Sequence, residues 1–340
     1  RTSKVKSRVI AHALRSLMEQ ASDIFIMSHE LGDFDSIGAA IGIWRGAANI
    51  GKKAHIVLDK GNPTIETLLD EIRQNETYEG MLISSEQALD MVSPDALVIV
   101  VDIQRASYTE CPELLDSGAK IVVLDHHRKP PDSIENVTLA YIEPYASSTC
   151  ELVTEILQYI TDRIKVEPLE AKALLAGIMV DTKNFAFKTG VRTFEAASLL
   201  RRMGADPSAV RQLFQDDFNT FTARAQAVMQ AKIEFPGIAI SVCPPELDGS
   251  NLVAAQAADT LISIKGIHTS FVLVPVNDAV YISGRSAGDV NVQLILEKLG
   301  GGGHLTMAGA QLSGVSVEKA RDMLISAIKE YFEEEKVEKK

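Results

Sequence analysis

Acids and histidines gather four times in this chain, each time where an apolar run stops. His29, Asp33 and Asp35 follow IFIM in SHELGDFDS, Asp102 closes LVIVVD, Asp125, His126 and His127 close KIVVLDHH, and Asp181 closes LLAGIMVD. A carboxylate or imidazole at the end of a buried run lies at the rim of a core, and in an open α/β sheet that rim is where ligands bind. Oxygen and imidazole donors without thiolate suit hard divalent cations, Mn²⁺ or Mg²⁺ first, with Fe²⁺ or Co²⁺ also acceptable. Two such ions about 3.5–4 Å apart need a bridging oxygen and several terminal ligands; together they lower the pKa of a shared water and clamp a phosphoryl oxygen. Asp33 and Asp35, two apart, are expected to share a face of an extended segment. Asp102 could bridge from a different strand, and His126 and Asp181 could complete the second ion. Any one of these acids alone is more simply a cap or turn former. Turn chemistry does not account for all four segments together.

A second cluster lies far downstream. Gly300, Gly301, Gly302 and Gly303 precede His304, after the helical pattern NVQLILEKL. One glycine suffices to end a helix. A run of them lets backbone N–H groups approach an anion closely. His304 could donate to a phosphate or stack on a base, and Arg285, in SGRSAGDVN, supplies a forked donor suited to phosphate. The plainer reading is a flexible loop beside a surface Arg.

The elements that must position these groups follow from the patterning. IFIMSH (24–29), AHIVLD (54–59), LVIVVD (97–102) and KIVVLD (120–125) are short, β-branched and unbroken by polar residues, as expected of parallel strands covered on both faces. Helical patterns between them predict βαβ units. SIGAAIGIWRGAANIG reads as a helix with Asp35 or Ser36 near its N-cap and Gly51 after it. Ser148-Thr149-Cys150-Glu151 reads as a capping box opening ELVTEILQYI, with a phosphate contact at that N-terminus as the lesser option. EPLEAKALLAGIMVDTKNF predicts a helix ending near Asp181. The expected domains are 1–190, an α/β unit with a parallel sheet, a helical connector over 191–232, and a smaller α/β unit over 233–335. The last has strands near IAISV, SFVLVPV and AVYISGRSA and helices near 251–265, 290–299 and 316–335, followed by the solvated tail EYFEEEKVEKK.

Composition narrows the function. The 340 residues suffice for two domains and a large core. A net charge of −12 with no basic stripe argues against a surface that coats long nucleic acid. It leaves a small nucleotide open, since bound cations and a few Arg offset phosphate charge locally. The three cysteines show no CxxC spacing, which argues against a disulfide framework or a zinc cage and fits a reducing cytoplasm. No apolar run is long enough to span a membrane, and no signal peptide is visible. The chain opens without Met on an amphipathic helix already under way, so a longer parent protein is expected.

Taken together, GDFDSIGAAIG, VVLDHHR, ASSTCELVTEIL, SNLVAAQAADTLIS and NVQLILEKLGGGGHLTMAGAQ resemble the DHH–DHHA1 phosphoesterase superfamily, and within it the GdpP-type cyclic-di-AMP phosphodiesterases. The resemblance implies one Mn²⁺ on His29, Asp33 and Asp102, and a second on Asp35, Asp102, His126 and Asp181, with Asp102 bridging and catalytic. His127 would lie near the scissile phosphate, and Asp125 would orient the neighbouring imidazole. Arg285, Gly302, Gly303 and His304 would bind the nucleotide. The implied reaction is hydrolysis of cyclic di-AMP to pApA. The alternatives are short linear oligonucleotides (pApA, nanoRNA) at the same site, or a sensor that binds without cleaving. A homodimer is expected, as is a parent protein anchored in the membrane by an N-terminal region, with no membrane contact from this segment. Two positions depart from the pattern. Ile103-Gln104-Arg105-Ala106 stands where the family tends to read Thr-His-Arg-Pro, and Met307 stands where the subgroup often has Asn.

Overall fold

The computed structural model describes residues 2–243 and 251–338, so Arg1, the segment 244–250 with Ser250, and the last two residues of the acidic tail lie outside it. The chain forms two compact units, residues 1–215 and 216–340. The segment 191–232 is divided between them.

The first unit runs α1 (Thr2–Gln20), β1 (Ile24–Met27), α2 (Phe34–Asn49), β2 (Ala54–Val57), α3 (Glu66–Arg73), β3 (Leu82–Ile83), α4 (Ser85–Met91), β4 (Leu97–Val101), β5 (Lys120–Asp125), β6 (Leu139–Ile142), α5 (Thr149–Ile160), α6 (Pro168–Asp181), α7 (Val191–Arg202) and α8 (Pro207–Leu213). The six strands pair in parallel in the order β3-β2-β1-β4-β5-β6. Strand side chains alternate between two cores, as the period of two requires. Ile24, Ile26, Ile99 and Val101 face one side, while Phe25, Met27, Val98 and Val100 face the other. Both faces are dry, which is why these strands read as continuous apolar runs.

The strand order reverses between β1 and β4, and in such sheets ligands collect beyond the carboxyl ends of the strands at that reversal. β3 and β6 were not expected. β3 has only two residues, and LAYI in β6 is half-exposed, so neither carries the apolar signature of the central strands.

The second unit runs α9 (Phe218–Met229), β7 (Lys232–Phe235), β8 (Ile238–Val242), α10 (Asn251–Ile262), β9 (Thr269–Val276), β10 (Ala279–Ser286), α11 (Val292–Glu297), β11 (Gly302–His304), β12 (Met307–Ser313) and α12 (Val317–Glu338). Its sheet has the order β11-β12-β10-β9-β8-β7, antiparallel except for the parallel β8–β9 pair. One face packs on α11 and α12 through Val280, Ile282 and Leu273; the other packs on α9 and α10 through Val272 and Val274.

Two local expectations change. The N-cap of α2 is Asp33, not Asp35 or Ser36: its carboxylate accepts from the backbone N–H groups of Asp35 (2.9 Å) and Ser36 (3.2 Å). Asp33 and Asp35 therefore straddle a helix start and do not share an extended face. At α5, Ser148 caps as expected. However, Glu151 turns to the backbone N–H and hydroxyl of Ser147 and to the hydroxyl of Thr193, so the capping box is only half made.

Candidate metal centre

The loops that leave β1 and β4 and the end of β5 deliver most of the acid and histidine set to the reversal point of the sheet. His29 and Asp33 follow β1, Asp102 follows β4, Asp125 closes β5, and His126 and His127 come next. Asp181 arrives separately, as the last residue of α6. That helix reaches the site because α2 and α6 cross closely at glycines. A Cβ on Gly38 would meet the Ala173 carbonyl oxygen at 2.5 Å, and one on Gly177 would collide with Cys150 Sγ and lie 2.9 Å from Asp35 Cα.

Two groupings result, with donor atoms all within 4.8 Å of one another: His29, Asp33 and Asp102 in the first, and Asp35, His126 and Asp181 in the second. Asp102 also groups with Asp125, His126 and His127. It thus stands beside His29 and Asp33 on one hand and His126 on the other. Its oxygens are held by Ser36 Oγ (2.7 Å) and Thr149 Oγ1 (2.9 Å). Its backbone sits at φ 64°, a left-handed conformation uncommon for a side-chain-bearing residue but more open to Asp than to most.

Asp35 is fully buried and accepts from the backbone N–H groups of Thr149 (2.7 Å) and Cys150 (2.8 Å). The amino end of α5, an anion site by its free N–H groups and dipole, is thus already occupied by a carboxylate. The phosphate contact considered there gives way to Asp35.

The electrostatics of the cluster are those of a cation site. Burial, reinforced by the facing acids, pushes the Asp35 and Asp102 carboxyls well above their ordinary range, and Asp33 rises for the same reasons. Among the described residues no Lys or Arg pairs with these acids; only histidines face them. His126 Nε2 is buried 3.0 Å from Asp181 Oδ2 and 3.7 Å from Asp35 and Asp102 oxygens, yet it makes no hydrogen bond of good geometry with any described residue. Buried, crowded carboxylates beside an unpartnered imidazole nitrogen fit a divalent cation, which would offset the repulsion and use the orphaned lone pair.

Asp125 stands behind this set. Burial works against its carboxylate, but bonds from His127 Nδ1 (2.7 Å) and Gln104 Nε2 (2.7 Å) hold it below its usual range. The His127 imidazole is thereby fixed through Nδ1, while the rest of its side chain is largely exposed. Gln104 also donates to the His127 carbonyl (3.0 Å).

Ser36, Thr149 and Gln104 hold members of the cluster in place, a role that the residue types alone do not disclose. The first two read as helix-cap residues, and the third as a departure from the family pattern.

In the second unit, Arg285, Gly302, Gly303 and His304 line one groove of about 650 Å³, together with residues of α10, β10 and β12. Arg285 is largely buried and anchored by Asp259 Oδ1 (3.2 Å), Ser283 Oγ (3.1 Å) and the Gly284 carbonyl (3.0 Å). A Cβ on Gly303, at φ 149°, would strike Met307 and Ala308, whereas a Cβ on Gly302 would meet nothing within 4 Å.

Comparison with known proteins places these features. The model of the DHH family N-terminal domain matches residues 23–178, and that of the DHHA1 domain matches residues 236–334. The chain is 42% identical to the cyclic-di-AMP phosphodiesterase PdeA of Listeria monocytogenes over 336 residues, covering 98% of this chain and 51% of that protein. It is 46% identical to the cyclic-di-AMP phosphodiesterase GdpP of Geobacillus thermodenitrificans over 334 residues, covering 97% of this chain and 51% of that protein. The chain thus spans about half the length of the curated relatives it matches. Among solved structures, an exopolyphosphatase-related protein from Bacteroides fragilis superposes with a TM-score of 0.81 at 19% identity, covering 95% of this chain and 96% of that one. At that identity the likeness speaks for the fold alone.

Proposed function

The chain belongs to the DHH–DHHA1 family, and from that premise we propose that it is a metal-dependent phosphodiesterase that hydrolyses cyclic di-AMP to pApA. The observation that carries the reading is the convergence of His29, Asp33, Asp35, Asp102, His126 and Asp181, drawn from four separate stretches of chain, into one partly buried cluster in which no Lys or Arg among the described residues pairs with the acids.

In this reading His29, Asp33 and Asp102 would hold one Mn²⁺, and Asp35, Asp102, His126 and Asp181 would hold another. When bound, such a pair activates water and draws charge from a phosphoryl oxygen. The chain's own groups do the rest. Ser36 and Thr149 fix the Asp102 carboxylate. Asp125 and Gln104 fix His127, whose Nε2 would then hydrogen-bond the phosphate under attack. Arg285, His304 and the backbone of Gly302 and Gly303 grip the nucleotide. In the reaction one P–O bond to water forms and one P–O3′ bond breaks, leaving the phosphate on the 5′ side of linear pApA. The names of the two relatives support the choice of substrate, and the match over nearly the whole of this chain supports carrying it over. The parent protein is proposed to be a homodimer anchored through its N-terminal region; no helix among the described residues is long and apolar enough to cross a membrane.

The test is turnover of cyclic di-AMP in Mn²⁺, with products separated by chromatography, for the wild-type chain and Asp102→Ala. We expect pApA from the wild type and a loss of at least about 10³-fold in the variant, since removing Asp102 would take a ligand from both proposed ions. Cleavage of pApA but not of the cyclic form would move the assignment to linear substrates. Tight binding without product would make the chain a sensor.

A further inference from the structure

The groove of the second unit holds more polar chemistry than a phosphate grip requires. Register places Tyr281 opposite Gln311, Ser283 opposite Gly309 and Arg285 opposite Met307, so these side chains share one face of the β10–β12 pair. On the same face Gly302 of β11 pairs with Gly309. The result is a floor of bare backbone at Gly302 and Gly309, bounded by the Tyr281 ring, the Gln311 carboxamide and the Arg285 guanidinium. Arg285 is anchored by three protein groups. In contrast, neither the Tyr281 hydroxyl nor the Gln311 amide hydrogen-bonds another described residue. The groove, at about 650 Å³, has the size of a small-molecule site.

We propose that Tyr281 and Gln311 form a base-reading subsite that selects adenine over guanine, an inference that rests on the nucleotide reading of this groove. A flat glycine floor beside an aromatic ring accepts the face of any base. The carboxamide supplies the choice. Its oxygen accepts from the adenine N6 amino group while its N–H donates to N7. Guanine presents acceptors at both O6 and N7, so the amide oxygen would face O6 with no proton between them. Arg285 and the glycine backbone then lie where the attached phosphate would be held, which separates base choice from phosphate grip within one groove.

Binding of AMP and of GMP to the whole chain in Mn²⁺, measured by titration calorimetry, tests this without requiring turnover. The wild type is expected to prefer AMP by about tenfold, the worth of one bidentate contact. Gln311→Ala should bring the two affinities together, Gln311→Lys should shift the preference toward GMP, and Tyr281→Ala should weaken both nucleotides alike. A merely structural role for Gln311 would lower both affinities and leave their ratio intact. Equal binding of AMP and GMP by the wild type, or an unchanged ratio in Gln311→Ala, overturns the proposal. Selective AMP binding in a chain that cleaves no dinucleotide would uphold the subsite and defeat only the catalytic reading.

Discussion

Asp102 combines three demands at one position: a left-handed backbone, two hydroxyl donors and membership of both sides of the acid cluster. Its importance can be read from its place after LVIVV, but the hydroxyls that hold it cannot. Ser36 and Thr149 lie 66 and 47 positions away and look like ordinary caps. The carboxylates and imidazoles stood out because each carries chemistry a core has no use for, whereas their orienting partners are residue types with many uses. The glycine run illustrates the same limit, since four identical letters hide different duties. Gly303→Ala is expected to cost roughly 1–3 kcal/mol of stability, because its φ is positive and its Cβ would strike β12. Gly302→Ala should leave the denaturation midpoint nearly unchanged and weaken nucleotide binding, since its Cβ meets no protein atom and would stand on the groove floor. Urea denaturation and AMP binding measured side by side separate the two, and equal destabilisation by both would contradict this account.

At the scale of elements, the parallel strands and their helices followed from apolar runs, but the α2–α6 crossing did not. Gly38 and Gly177 sit 139 positions apart, and nothing in either helix names the other as its partner. That crossing brings Asp181 beside Asp35, so helix packing, not strand order, completes the cluster. A second tie binds the loops at the same end of the sheet. The Glu110 carboxylate accepts from the Asp59 backbone N–H after β2 (3.0 Å), while its own backbone N–H donates to the Ser28 carbonyl after β1 (2.8 Å). Burial lifts this carboxyl to about 7, and its buried second oxygen makes no hydrogen bond of good geometry with another described residue. The folded state thus keeps a proton that the unfolded chain releases near 4.5. This contribution to stability is complete below about pH 4.5 and fades as the pH rises to about 7. Glu110→Gln, which keeps an acceptor and cannot ionise, should flatten that decline by roughly 1–2 kcal/mol between pH 5 and 8. Parallel urea titrations of the two proteins at those pH values check it; identical pH profiles would refute the assignment of the tie to Glu110.

The whole molecule is two bodies with separate cores. The acid cluster lies wholly in the first, and the glycine groove wholly in the second. Mn²⁺ at a hundredfold excess over its Kd should therefore stabilise the first body by about 2.7 kcal/mol. Hydrogen exchange followed by mass spectrometry should show slowing at the ends of β1, β4 and β5, the start of α5 and the end of α6, with residues 251–338 unaffected. Slowing confined to the second body would misplace the metal.

The partition also shapes how such a protein can diversify. On the proposed reading, substitutions along β12 would retune which base is admitted without touching any of the clustered acids and histidines. Drift in the acid cluster, conversely, would leave the groove of the second unit, and any nucleotide binding it provides, intact. A lineage built on this plan can change its message or fall silent by mutating one body at a time.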